Sequence, residues 1–220
     1  MIIANGNADL FQEDEDGRTS LHWACSTQNS QVIKALTPQF RVHFDESASE
    51  ILDISDWLPL HILASVGNLV LLEYLLQQFP SSNINAGTNT GTTVLQLAIS
   101  KRCIQLAKWL LTVGKSSYGL RAGAKDKRGL NALHRAASVG SVELVELLVN
   151  EGKVNVNSTD GLGWTSLHHA MSEEHVTVAE KLLDLGADWE AVTSEGESVT
   201  SVCLNKKVVE EVEKHKNKLN

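Results

Sequence analysis

The chain has 220 residues, of which 42% are apolar and 21% are charged, and its formal net charge is −8 at pH 7. This composition supplies enough apolar surface for an ordered core and excludes a disordered polypeptide. The excess of acid repels phosphate backbones, so we expect no nucleic-acid partner, and the lack of an apolar run of about 20 residues predicts no contact with a membrane.

The three cysteines, Cys25, Cys103 and Cys203, are spaced neither as metal ligands nor as a disulfide framework. The first residues lack the basic and apolar regions of a secretory signal. We therefore expect reduced thiols and a cytoplasmic and nuclear location.

A short motif recurs along the chain. The string Asp16-Gly17-Arg18-Thr19-Ser20-Leu21-His22 has related copies around residues 56, 91, 129 and 163 and a degenerate copy around 196. The equivalent positions are Gly17, Asp56, Gly91, Gly129, Gly163 and Gly196, with successive spacings of 39, 35, 38, 34 and 33 residues. These spacings centre on the ankyrin period of about 33 residues, with insertions.

Each copy predicts the same order of elements. A short helix begins at the Leu-His pair, a turn follows, a second helix carries apolar residues at helical spacing, and a Gly-rich or Asn-rich exit leads to an extended finger. Two longer segments, Pro38–Asp53 and Val113–Ala122, map to the exit after a second helix, where insertions do not disturb helix stacking.

The resulting fold class is an all-α ankyrin-repeat solenoid of about six helix-turn-helix repeats with β-hairpin fingers. We expect one domain over residues 1–220. Its predicted parts are a remnant of a truncated first repeat at 1–15, repeats starting near 16, 55, 90, 128 and 162, and a C-terminal cap over 195–220.

Histidine occupies the same position at the start of the first helix in four copies, namely His22, His61, His134 and His168. Residues one repeat apart are too distant to share a metal ion, so each imidazole is expected to hydrogen-bond the helix start of its own repeat. His169 follows His168 directly, and successive helical residues point about 100° apart, which does not suit a shared metal. We expect no metal and no cofactor.

Enzyme signatures are weak. No nucleophile arrangement or phosphate-binding glycine string is present, and the acid pair Glu173/Glu174 is typical of a solvated face. We therefore predict a non-enzymatic protein; a hydrolase, the open alternative, would require a pocket with a perturbed titratable group.

A protein-binding surface is predicted on the concave side, where the fingers and the inner faces of the first helices point the same way. Three of the five tryptophans fall there together with several arginines, and these residue types most often carry interface energy, about 2 kcal/mol or more each when well packed. The alternative for each tryptophan is packing between fingers. The candidate partner-binding residues are Asp16, Arg18, Trp23, Trp57, Lys127, Arg128, Arg135, Trp164, Glu173 and Glu174.

Several strings are also similar to a known family. They are Arg18-Thr19-Ser20-Leu21-His22-Trp23, Trp57-Leu58-Pro59-Leu60-His61-Ile62 and Leu133-His134-Arg135-Ala136-Ala137. From about Asp9 to the C-terminus, the chain resembles gankyrin and its fungal counterpart, the ankyrin-repeat chaperones that assemble the proteasome regulatory particle.

The resemblance implies a function. Members of this family bind the C-terminal domain of one proteasomal base ATPase subunit on the concave face and mask it sterically during assembly, so the chain is expected to be a monomer outside that complex. The resemblance implies contact roles for Arg18, Trp23, Trp57 and Arg135, with Asp16, Lys127 and Arg128 as helpers. A general ankyrin-repeat adaptor or a kinase-inhibitor-like module stays open, because it shares the fold but not the partner.

Overall fold

Short helices form the architecture in the computed structural model, which describes residues 9–45 and 51–219. The chain divides into two compact units between Lys101 and Arg102. In the first unit the helices are α1 (Ser20–Ser26), α2 (Ser30–His43), α3 (Pro59–Val66), α4 (Leu69–Gln78) and α5 (Val94–Ser100). In the second they are α6 (Ile104–Trp109), α7 (Lys115–Tyr118), α8 (Ala132–Ser138), α9 (Val142–Asn150), α10 (Ser166–Ser172), α11 (Val176–Asp184) and α12 (Lys206–Leu219).

Stacked first helices build the core of each unit. In the first unit, α3 packs between α1 and α5 and against α4, and in the second unit α8 packs on α9 and α10. The leucine before each histidine, such as Leu21 in α1 and Leu133 in α8, has no solvent-exposed surface. Truncating a leucine in such a site costs about 2–5 kcal/mol, so the repeated Leu-His pair is a folding determinant.

The second helices begin with polar caps. Asn29 and Asn68 accept hydrogen bonds from amides in the first turns of α2 and α4, and Ser141 does the same for α9. A cap of this kind contributes about 1 kcal/mol, and it fixes where the chain reverses between the two helices of a pair.

Tight finger turns separate the helix pairs. In each turn the amide of the first residue donates to the carbonyl of the fifth. The fourth residue has a positive φ and is glycine in five turns, whereas Asp56 takes that place in one, with φ 56°. Among the described residues, strand-like pairing in the fingers is limited to isolated antiparallel bridges such as Gly87–Thr93. The turns are Asp14–Arg18, Asp53–Trp57, Thr88–Thr92, Asp126–Leu130, Asp160–Trp164 and Thr193–Glu197.

Successive fingers within a unit are joined by single backbone hydrogen bonds. The Ile54 amide donates to the Asp16 carbonyl at 3.0 Å in the first unit, and the Gly161 amide donates to the Arg128 carbonyl at 2.9 Å in the second. These bonds fix the position of each finger relative to the next one in the same unit, and with it the position of the predicted contact residues that the fingers carry.

The predicted connection at Pro38–Asp53 is wrong at its start, because α2 continues through Pro38 to His43. Proline removes one helix hydrogen bond, but Phe40, a half-turn later, is fully buried and its ring lies 4.9 Å from that of Phe11. Burial of this aromatic cluster outweighs the lost bond. Residues 46–50 of the connection lie outside the described part of the chain.

The predicted insertion at Val113–Ala122 is also largely helical. Helix α6 passes into a π-helical turn at Leu110–Gly114, which continues directly into α7. Leu110 and Leu111 are buried, so the turn packs into the core of the second unit. The helix stops at Gly119, whose φ of 67° no longer permits an α-helix.

The two ends of the described chain differ. Residues 1–8 of the predicted first-repeat remnant lie outside the described part, and residues 9–13 form no helix. At the other end, the predicted charged helix is present as α12, and Val208 and Val212 are buried where it packs on α11.

Among the described helices, none combines the length and apolarity needed to cross a bilayer.

Candidate protein-binding surfaces

Four fingers are organised by an aspartate in their first position. One carboxylate oxygen, Oδ1, accepts hydrogen bonds from the amides of the third and fifth residues of the turn, at 2.8–3.0 Å. The other oxygen, Oδ2, is left to receive a side chain. These aspartates are Asp14, Asp53, Asp126 and Asp160.

The first-unit surface is centred on Trp23 in α1. Its indole Nε1 donates to Asp14 Oδ2 at 2.8 Å, and the guanidinium carbon of Arg18 lies 5.8 Å from the indole centroid. Arg18 Nε in turn donates to Asp53 Oδ2 at 3.1 Å. Trp23 remains 48% exposed despite these contacts, so an oriented indole and a guanidinium face solvent together.

Hydrogen bonding stabilises the charged form of both carboxylates. The pKa of Asp14 is lowered, chiefly by the hydrogen bond from the Arg18 amide. Burial acts to raise the pKa of Asp53, but hydrogen bonds from the amides of Trp57 and Ser55 and the Arg18 side chain outweigh it, so this pKa is lowered too. Arg18 therefore has an ionised partner at neutral pH.

Asp16 and Trp57 are the other predicted contact residues of this unit. Asp16 is exposed, and its carbonyl joins the first finger to the second. The Trp57 ring is half-buried, 6.1 Å from the His61 ring. Trp57 therefore packs against the helix-start histidine of its own repeat, while part of its ring faces solvent.

The second-unit surface is centred on Arg135 in α8. Its Nη2 donates to Asp126 Oδ2 at 2.7 Å, with the arginine side chain 24% exposed and the aspartate 4% exposed. Lys127 and Arg128, in the finger that Asp126 organises, are exposed. The fixed Arg135 and the two solvated cations give this surface a positive character.

The next finger repeats the arrangement with a histidine. His169 Nε2 lies 3.2 Å from Asp160 Oδ2, and its ring centroid is 5.3 Å from that of Trp164, which is half-buried. Burial lowers the pKa of His169, although Asp160 acts in the opposite direction. Trp164 is therefore packed on one side and open on the other.

Glu173 and Glu174 lie at the end of α10 and are exposed. Glu174 has a φ of 57°, and its carboxylate accepts a hydrogen bond from the Asn205 side chain at 2.9 Å. Glu174 consequently has a structural contact beside its predicted binding role, whereas Glu173 is the C-cap of the helix.

The predicted local role of the helix-start histidines is confirmed. In each case Nδ1 accepts from the backbone amide of the residue three positions earlier, at 3.0–3.2 Å. The Nε2 atoms of His22, His61 and His134 lie 2.9–3.0 Å from carbonyl oxygens in the next finger turn (Trp57) or two residues before it (Ala86 and Ser158). In the repeat without histidine, Gln96 Oε1 accepts from the Thr93 amide at 3.0 Å in the same way.

Burial lowers the pKa of all four of these histidines, that of His134 to about 4. Buried imidazoles that stay neutral are typical of a structural role. No cluster of three or more His, Cys, Asp or Glu side chains arranged to hold a metal ion occurs within residues 9–45 and 51–219.

The sequence reasoning missed the anchoring role of the finger aspartates. The signal was present as a fixed offset, because Asp14, Asp126 and Asp160 each precede by nine residues the side chain that they hold. That side chain always follows the helix-start histidine directly, as Trp23, Arg135 and His169 do.

Comparison with known proteins shows the family to which the chain belongs. A profile of ankyrin repeats in three copies matches residues 43–119 and 113–193, and a single-repeat profile matches residues 16–41. The chain therefore belongs to the ankyrin-repeat family, as its repeat spacing predicts.

The chain is also similar to individual proteins. The probable 26S proteasome regulatory subunit p28 of Saccharomyces cerevisiae is 38% identical over 201 residues, which cover 90% of this chain and 84% of that protein. This similarity confirms the resemblance to the gankyrin-type proteins. The nuclear factor NF-kappa-B p105 subunit of Gallus gallus is 28% identical over 84% of this chain but only 17% of its own length.

A solved structure supports the fold alone. The ankyrin repeat domain of Bcl-3 superposes with a TM-score of 0.76 at 23% identity, covering 96% of this chain and 89% of that one.

Proposed function

We propose that this chain is a non-enzymatic, proteasome-associated ankyrin-repeat protein that binds the C-terminal domain of one base ATPase subunit and masks it sterically. The similarity to yeast p28 supports the association with the proteasome regulatory particle. In this proposal it acts in the cytoplasm and nucleus, and it is a monomer when not bound to the ATPase.

The observation that carries the proposal is the anchoring of Arg18, Trp23 and Arg135 by finger carboxylates. Side chains already held in one rotamer lose little entropy when a partner docks, and each such side chain saves about 0.5–1.5 kcal/mol on binding. Arginine and tryptophan are also the residue types that most often dominate interface energy. A preformed contact surface is what a binding protein requires.

The charges of the second-unit surface indicate which part of the partner lies there. Lys127 and Arg128 are exposed next to the Arg135–Asp126 ion pair, so this surface complements acidic residues of the ATPase domain. Exposed charges of this kind set orientation and association rate more than affinity.

The test uses two double variants with the same change in charge. Lys127→Glu/Arg128→Glu alters the proposed surface, and Lys206→Glu/Lys214→Glu alters exposed residues of α12 as the matched control. Arg135 is less suitable for reversal, because a carboxylate there would also repel Asp126 and disturb the finger. Binding of each purified base ATPase C-terminal domain is measured by calorimetry, and the fold is checked by circular dichroism.

We expect the wild-type chain to bind one of these domains and the Lys127/Arg128 variant to bind it about tenfold or more weakly, a loss of about 1.4 kcal/mol. The control variant should bind like wild type. Equal affinity of both variants would refute the proposed surface. Failure of wild type to bind any base ATPase domain, with kinases or transcription factors recovered from lysate instead, would favour the general adaptor.

A further inference from the structure

His169 on α10 occupies the position that Trp23 and Arg135 occupy in their repeats, directly after the helix-start histidine. Its side chain is 18% exposed, and its Nε2 lies 3.2 Å from Oδ2 of Asp160, a carboxylate that is itself nearly buried. An indole or a guanidinium offers a partner hydrogen-bond donors only, whereas a neutral imidazole also has an acceptor. The protonation pattern of this ring therefore decides which chemical group of a partner can bind to it.

Asp160 determines which ring nitrogen of His169 carries the proton. Its Oδ1 accepts hydrogen bonds from the Leu162 and Trp164 amides at 2.9 Å, and its Oδ2 faces the imidazole Nε2. Because a carboxylate only accepts hydrogen bonds, Nε2 must be the donor. Burial lowers the pKa of His169, so the ring is neutral at neutral pH and its second nitrogen, Nδ1, is an acceptor.

The acceptor nitrogen Nδ1 of His169 is open to a partner. Within residues 9–45 and 51–219, no protein group forms a hydrogen bond with it, and it is not one of the polar atoms that are enclosed without a partner. Solvent therefore reaches this atom. The half-buried Trp164 ring, whose centroid lies 5.3 Å from that of the imidazole, borders the imidazole, so a group that docks here is partly removed from water.

The charges around His169 disfavour a cation as the bound group. Asp160, its hydrogen-bonded partner, acts to raise its pKa, and of the other charged groups that act on the ring, Arg128 has a larger effect than Glu173. The ring of His134 on α8, 5.4 Å away, is itself neutral, since burial lowers its pKa to about 4. The excess of positive charge repels an ammonium or guanidinium group but not a hydroxyl or an amide N–H.

We propose that Asp160 holds His169 with its proton on Nε2, so that Nδ1 accepts a hydrogen bond from an uncharged donor of the bound partner, a hydroxyl or an amide N–H. The inference rests on the proposed function, because the partner is the ATPase domain and the contact extends the second-unit surface. His169 then determines specificity, and Asp160 positions it. The exposed Lys127 and Arg128 attract carboxylates, whereas a carboxylate placed at Nδ1 would face a second acceptor and lose hydration without compensation.

The first test reads the protonation of the ring by nitrogen NMR of the histidine side chains in the full chain at neutral pH, with His169→Gln identifying the signals of His169. Wild type should carry the proton on Nε2. In Asp160→Asn the side-chain oxygen stays in the turn with the two backbone amides, so the amide nitrogen faces Nε2 and should move the proton to Nδ1. A proton on Nδ1 in wild type, or the same pattern in both proteins, would overturn the proposal.

The second test measures binding of the ATPase C-terminal domain by calorimetry. His169→Gln can donate to Asp160 through its amide nitrogen and keep an oxygen acceptor, so we expect an affinity within about twofold of wild type. His169→Leu removes the acceptor and His169→Arg replaces it with donors, and each should bind at least about fivefold more weakly. Leu97 and Arg135 occupy the equivalent position in other repeats, so both variants should fold, which circular dichroism checks.

The pH dependence of binding gives a readout that a purely structural residue would not change. Protonation turns Nδ1 into a donor, so binding by wild type should weaken as the pH falls, and binding by His169→Gln should weaken less. Asp160→Asn should bind as weakly as His169→Leu. Wild-type affinity of His169→Leu and His169→Arg would overturn this inference and, if Lys127→Glu/Arg128→Glu still weakens binding, would leave the proposed function standing. If wild type binds no base ATPase domain, both fail.

Discussion

Replacing His134 by glutamine should remove a defined part of the acid sensitivity of folding. The imidazole is fully buried; Nδ1 accepts from the Asn131 amide at 3.0 Å and Nε2 lies 3.0 Å from the Ser158 carbonyl. Burial, assisted by the nearby His169, lowers its pKa from 6.5 to about 4. The chain itself shows that glutamine is acceptable there, because Gln96 caps α5 through the same bond.

Proton linkage gives the sign and the size of this change in folding stability with pH. In the window between the lowered folded value and the ordinary unfolded value of the pKa, the unfolded chain binds more protons at this site, so acid favours unfolding. The stabilisation is fully present above the unfolded pKa and is lost as the pH falls toward the folded one. A shift from 6.5 to about 4 gives a loss of about 2 kcal/mol between about pH 7 and about pH 5.

The assay is urea unfolding followed by circular dichroism at both pH values, for wild type and His134→Gln. Contributions of His22, His61 and His168, which lie in other repeats, are present in both proteins and cancel in the difference. Wild type should lose about 2 kcal/mol more than the variant on acidification. The reciprocal change, Gln96→His, should add acid sensitivity. If His134→Gln keeps the full wild-type dependence on pH, the imidazole does not act as a buried neutral group and the reasoning fails.

Substitutions at three further positions test the finger turns by thermal or urea unfolding. Asp56→Gly should stabilise the chain by about 0.5–1 kcal/mol, because glycine adopts the φ of 56° without steric cost, and a destabilised variant would contradict this. Gly129→Ala should destabilise it by about 1–3 kcal/mol, since a Cβ there would lie 2.5 Å from the Gly161 amide nitrogen; wild-type stability would show that the turn relaxes freely. Asp126→Asn keeps the acceptor for the turn but loses the charge facing Arg135, so a loss of about 1–2 kcal/mol is expected, and Asp126→Ala should cost more because it also removes the turn acceptor.

The repeat architecture was predictable because its determinants are local. The Leu-His pair fixes both the buried face and the cap of each first helix, so its recurrence alone places those helices. The same locality explains why Gln96 substitutes for histidine, since one side-chain acceptor at the right position is sufficient.

The two insertions were mispredicted for a different reason. The repeat spacing placed the extra residues at the exits after the second helices, beginning at Pro38 and Val113. In the structure, tertiary burial decides instead. Phe40 is held in an aromatic cluster beyond the proline, and Leu110 and Leu111 are buried in a π-helical turn that a 3.6-residue period does not reveal. Burial of this kind depends on neighbours distant in sequence, which the local pattern does not contain.

The sequence predicted which residue types form the contact surfaces. It did not predict their geometry, which depends on the separate roles of the two oxygens of each finger aspartate. Oδ1 closes the finger turn, which is a matter of stability, and Oδ2 orients an exposed side chain, which is a matter of recognition. Because the turn is satisfied by the first oxygen alone, the second accepts an indole, a guanidinium or an imidazole in different repeats without altering the fold. In the second repeat Ile62 occupies the corresponding helix position and is buried, so Asp53 instead binds Arg18 from the preceding finger. The same acceptor therefore links two fingers there, which explains why Arg18 and Trp23 form one surface although they are anchored by different aspartates.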